Sequence, residues 1–228
     1  MTQNSSPFLV RPLAATLLAA TLALGIGGCA PLVVGGAMVG GAMVATDRRS
    51  SGAQLEDQSI ELKASGKITD VVGERGHVSV TSYNRMVLLT GEVANEQLRT
   101  AAEQAVAQVE NVRSIVNEIA IMGSSSMSTR SNDMLLLSKV KATLIDARDL
   151  QSGAFKVVTE RGIVYLMGIV SEREATRAAD LTRTISGVTK VVRVFEVVTD
   201  DELARMQPKS SPAAPSSPSA AAASAPAR

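Results

Sequence analysis

The chain repeats itself. GHVSVTSYNRMVLLTGEVANEQLRTAA (76–102) lies over GAFKVVTERGIVYLMGIVSEREATRAA (153–179) without a gap, bringing Val80 over Val157, Val87 over Val164, Leu89 over Leu166, Gly91 over Gly168 and Val93 over Val170. One residue drops from the second copy, and NVRSIVNEIAI (111–121) then aligns with GVTKVVRVFEV (187–197). A duplication constrains the fold more than composition does: whatever one copy forms the other forms too, each around its own small core.

Both copies read as helix, β-hairpin, helix and strand. In the second, Phe155 to Thr159 and Ile163 to Met167 alternate and are rich in β-branched residues, with Glu160, Arg161 and Gly162 as the turn. The first copy turns at Asn84 and Arg85. Ser171 with Glu174 is a capping box, and it opens a helix whose Ala178, Leu181 and Ile185 recur at helical spacing. Leu98, Ala101, Ala102, Ala105 and Val109 fill that role in the first copy. The last strands, Val112 to Ile121 and Val188 to Val198, pair in parallel with the strand before the helix. The expected fold class is α+β, each copy carrying a three-stranded mixed sheet covered by helices on one face.

Cys29, the only cysteine, excludes an intrachain disulfide. Arg11 precedes an apolar run from Leu13 that ends in Ile26, Gly27, Gly28 and Cys29, the layout of an export signal. That ending resembles a bacterial lipobox, which implies cleavage before Cys29 and acylation of its thiol and new amino terminus. The competing reading is a transmembrane helix within residues 13–45, opposed by Pro31 and a run of glycines. Several acyl chains anchor firmly, since each buried CH₂ contributes about 0.8 kcal/mol. By resemblance to Gram-negative lipoproteins, Ala30 after the cysteine points to the outer membrane. Residues 31–46 keep small side chains four apart (Gly36 with Gly40, Ala37 with Gly41), suiting either close helix approach in lipid or a flexible tether. As a coil, residues 30–58 reach about 30 Å.

The whole layout is similar to the dual BON-domain (bacterial OsmY and nodulation) outer-membrane lipoprotein family. ATDRRS, VTSYNRMVLLTGEV, VTERGIVYLMGIVSEREA and ISGVTKVV carry the resemblance, with Gly91 and Gly168 as structural positions ending the second strand of each copy. It implies a periplasm-facing, lipid-anchored, non-enzymatic protein that binds anionic phospholipids of the inner leaflet and supports outer-membrane integrity. The boundaries read as signal peptide 1–28, lipidated tether 29–58, first domain 59–122, linker 123–132, second domain 133–199 and a Pro/Ser/Ala-rich disordered tail 200–228.

The copies differ in charge: residues 54–122 hold 6 Lys or Arg against 10 Asp or Glu, and residues 130–200 hold 11 against 9. An anionic surface therefore repels the first and tolerates the second. On the second copy's first helix, Asp133, Leu136, Leu137, Val140 and Leu144 share the core side. Leu135 points away from it, Met134 and Ile145 lie on the outer flank, and Lys139 and Lys141 stand at the borders. Those five residues (134, 135, 139, 141, 145) are the candidate lipid-binding face. The competing expectation packs the same face on the first domain or the tether. In the first copy Ile60, Ala64 and Ile68 point inward beside polar Ser59 and Glu61, and no comparable apolar outer face is expected.

Other chemistries find no residues. Aromatic side chains make up 2% of the chain and Trp is absent, so stacking platforms for nucleic acid are missing. His77 is the single histidine, read as a solvated loop position, and no Cys/His cluster suggests a metal or cofactor. The alternative function is a periplasmic scaffold that tethers another envelope protein, using sheet edges and the acidic first domain.

Overall fold

The computed structural model describes residues 47–206. Cys29, the segment read as a signal peptide, most of the segment read as a tether and residues 207–228 lie outside them. The first module runs α1 (Ser51–Val72), β1 (Gly76–Tyr83), β2 (Met86–Val93), α2 (Glu96–Ala107), β3 (Ser114–Asn117) and β4 (Ala120–Ile121). The second runs α3 (Met127–Asp146), β5 (Phe155–Glu160), β6 (Ile163–Val170), α4 (Glu172–Arg183) and β7 (Lys190–Val197), followed by α5 (Asp200–Met206).

Each sheet is mixed. β2 pairs antiparallel with β1 and parallel with β3 and β4; β6 stands likewise between β5 and β7. Both hairpins close through two residues at positive φ, Asn84 and Arg85 in the first, Arg161 and Gly162 in the second. Two such residues match the twist of the flanking strands, so Glu160 belongs to β5 and not to the turn. The single last strand expected in the first copy is split at Glu118 and Ile119, both halves keeping one register on β2. His77 is the second residue of β1, exposed, and not a loop residue.

Helices start earlier than the sequence boundaries suggest, each at a hydroxyl-bearing cap. Ser50 Oγ accepts from Ala53 N at 3.2 Å, so α1 begins inside the stretch assigned to the tether. Ser126 caps α3 through Thr129 N, inside the presumed linker. Thr199 and Glu202 cap each other and open α5 within the presumed tail.

Gly91 sits at φ +111°, and a Cβ there lies 2.0 Å from the His77 carbonyl oxygen of the neighbouring strand. At Gly168 the added carbon meets Ala154 O at 2.4 Å. Both contacts are with backbone, which cannot swing aside. Gly91→Ala is expected to lower stability by about 2 to 4 kcal/mol, measured by urea unfolding, because strain and overlap act together.

The central strands are buried on both faces. Val87, Leu89 and Val93 of β2 pack with Ile60, Ala64 and Ile68 of α1; Val164 and Leu166 of β6 pack with Val140 and Leu144 of α3. The opposite faces meet each other: Tyr83 and Leu88 from the first module join Tyr165, Met167, Ile169 and Val194 from the second, with Leu203 of α5 closing one end. The layers therefore run helices, sheet, sheet, helices. Polar contacts rim this seam, with Tyr83 Oη donating to Ala154 O (3.2 Å), Lys156 pairing with Glu61 (2.7 Å) and Arg113 with Glu196 (2.6 Å).

Candidate functional site

Packing the modules sheet to sheet leaves the outer side of α3 uncovered. Met134, Leu135 and Ile145 are 71, 63 and 59% exposed, while Leu136, Val140 and Leu144 are buried beneath them. Lys139 and Lys141 are exposed too, and no carboxylate pairs with either among the described residues. Met127 extends the apolar line, seven residues before Met134 and therefore on the same stripe. Of the alternative expectation, packing of this face on the first module does not hold, since the sheets make that contact; packing on the tether falls on residues outside those described.

Local chemistry fixes the helix against its sheet. Asp133 Oδ1 and Oδ2 accept from Gly162 N and Arg161 N, both at 2.8 Å, satisfying the amides of the β5–β6 turn. Leu135, Lys139, Arg161 and Gly187 line a cleft of about 420 Å³ beside this turn. A second cleft of about 260 Å³ lies at the helix's other end, lined by Lys141, Leu144, Ile145, Phe155 and Asp47. The first described residue of the chain thus stands at the same helix face.

Asp57 is the counterpart of Asp133 in the first module, and more heavily engaged. It accepts from Ser82 Oγ (2.6 Å) and Arg85 N (2.8 Å) on one oxygen and from Arg49 Nη1 and Asn84 N (both 2.7 Å) on the other. Burial pushes its carboxyl upward, but these four donors prevail and hold it below the ordinary range.

The first module departs from expectation. Leu55 and Leu62, seven residues apart on α1, are 66 and 77% exposed, so its helix does carry an apolar stripe. Its adjacent cation, Lys63, is paired with Glu110 at 3.3 Å, unlike the lysines of α3. Sequence reading weighed Ser59 and Glu61 at the border and overlooked a stripe recognisable from the seven-residue spacing. Arg48 and Arg49 were missed as structural residues, though they belong to the quoted ATDRRS. Among the described residues no helix is long and apolar enough to cross a membrane, and no three His, Cys, Asp or Glu side chains converge on a metal-sized space.

Comparison with known proteins bears on the repeat directly. The BON domain family matches twice, over residues 57–123 and 132–199. The outer membrane lipoprotein DolP of Haemophilus influenzae is 36% identical over 184 residues, 80% of this chain and 94% of that protein. A 21 kDa hemolysin of Actinobacillus pleuropneumoniae is 30% identical, covering 67% of this chain and 79% of its own. Among solved structures, the C-terminal domain of CdsD, a structural protein of the Type III secretion system of Chlamydia trachomatis, aligns over 59% of this chain and 96% of its own with a TM-score of 0.27 at 10% identity, too loose to inform the fold. With two matched copies covering more than half its length, this chain belongs to the BON domain family.

Proposed function

We propose that the protein is a non-enzymatic lipoprotein of the outer membrane, anchored through acylated Cys29 and facing the periplasm, whose α3 docks on anionic phospholipid and so supports envelope integrity. One observation carries the reading: Met134, Leu135 and Ile145 project together from a helix whose other side is packed, flanked by two lysines without carboxylate partners among the described residues. The likeness to an outer membrane lipoprotein over most of both chains supports the address. Burying each apolar side chain contributes about 1.5 to 3 kcal/mol and each lysine about 1, offset by the cost of orientation. The affinity is weak, and anchoring compensates through high local concentration.

The test is a titration of ¹⁵N-labelled, unacylated protein beginning at residue 30 with phosphatidylglycerol micelles. Amides of residues 132–146 are expected to shift and those of β1 and β2 to stay. Unchanged amides across α3 remove the reading. A second reading, a scaffold for another envelope protein, draws on the Leu55 and Leu62 pair; perturbation of α1 alone by a co-purifying protein supports it.

A further inference from the structure

The two arginines before α1 hold opposite modules. Arg48 crosses to the second, where its guanidinium donates to both oxygens of Glu174 at 2.7 and 2.8 Å, to the Ile169 carbonyl at 2.7 Å and to Gln151 at 3.2 Å. The Arg48 and Glu174 side chains are 4 and 7% exposed. Glu174 is also the capping-box residue of α4, accepting from Ser171 N at 3.0 Å. Arg49 turns the other way, pairing with Asp57 and Asp47 at 2.7 Å each and lying 4.1 Å over the Tyr83 ring.

Taking a guanidinium and a carboxylate out of water costs about what their attraction returns, so such a pair contributes geometry more than stability. A planar fork with four acceptor atoms, on three residues of the partner module, tolerates one placement. That placement lies 19 residues after Cys29, beside the cleft Asp47 shares with Lys141 and Ile145.

We propose that Arg48 and Arg49 are positioning residues forming a clamp at the root of the membrane anchor: they fix where the polypeptide from Cys29 meets the folded body, beside Lys141 and Ile145, and thereby turn the outer face of α3 toward the bilayer. The proposal rests on the reading of Cys29 as acylated and of α3 as the lipid-facing surface. Only 17 residues, 30–46, separate Cys29 from Asp47, so the point of attachment biases which face meets the membrane. Without the clamp the anchor enters through Ser50 and α1, on the module carrying the acidic excess, which an anionic surface repels.

The test uses full-length acylated protein in nanodiscs of phosphatidylethanolamine and phosphatidylglycerol, with a fluorophore on Ser138→Cys, an exposed position of α3. Acylation of Cys29, the only native cysteine, leaves the introduced thiol as the sole one for labelling. Nitroxide lipids are expected to quench the label strongly in the wild-type background and at least ~threefold less in Arg48→Ala, with Arg48→Lys intermediate because it keeps the charge and loses the fork. Readings are taken well below the melting temperature, where a purely stabilising residue leaves quenching of the folded protein unchanged. Equal quenching in Arg48→Ala and wild type therefore overturns the clamp. Absent quenching in wild type overturns the lipid-facing reading first, and the clamp with it. Should Arg48→Ala not fold, Arg48→Gln, which keeps a donor to the Ile169 carbonyl, is read by the same criteria.

Discussion

Asp57→Ala lowers stability by about 3 to 5 kcal/mol, a drop of roughly 6–20 °C in melting temperature by calorimetry. The carboxylate accepts four hydrogen bonds, and its removal strands two turn amides and the Ser82 hydroxyl and leaves Arg49 only its pair with Asp47. Leaving donors unpaired costs more than the bonds contributed. Asp70→Ala, on the exposed last turn of α1, stays within about 0.5 kcal/mol of wild type. The effect also carries a pH signature. Asp57 and Glu174 are both held below their ordinary values: burial opposes the charge in each, and hydrogen bonds, from Ser82, Arg85, Arg49 and Asn84 in one and from Arg48 and Ser171 in the other, overcome it. Groups depressed in the folded state contribute their full stabilisation above the unfolded-state values, near pH 4, and lose it as pH falls through the folded ones. Wild type therefore weakens steeply on acidification below about pH 4, and the gap to Asp57→Ala narrows over the same interval.

If α3 docks on lipid as proposed, Met134→Glu combined with Leu135→Glu is expected to weaken binding to phosphatidylglycerol vesicles by at least about a hundredfold, measured by flotation of unacylated protein. Two apolar side chains leave the contact, and two carboxylates enter a surface that repels them. Folding is spared, because both side chains already stand in water. Lys139→Ala and Lys141→Ala each cost about fivefold, an effect that fades in high salt. Leu136→Ala supplies the contrast: buried on the same helix, it destabilises the module by about 2 to 5 kcal/mol and leaves the vesicle affinity of the folded protein unchanged.

Repetition made most of the architecture legible. Aligned copies must share strands and register, and Gly91 over Gly168 marks where each second strand runs close to its neighbour's backbone. The outer face of α3 was readable too, because helical spacing alone separates Leu135 from Leu136. Legibility failed where the signal was a single polar side chain. Ser50, Ser126 and the Thr199–Glu202 pair extend or create helices in segments whose composition reads as linker. The seam between modules was half visible: IVYLMGIV is apolar at nearly every position, as a strand buried on both faces must be, yet a sheet covered by helices on one side accounts for only half of it. Arg48 was out of reach, since its partner lies 126 positions away and nothing in ATDRRS names it.

Joining the sheets back to back has an evolutionary side. A lone copy would carry Tyr165, Met167, Ile169 and Val194, or Tyr83 and Leu88, as an open greasy panel inviting precipitation. With those panels packed against one another, deleting either half is expected to leave its sibling's panel open to water. Gene doubling of this sort works as a ratchet: the pair can diverge in charge and in trade, but it can no longer divorce.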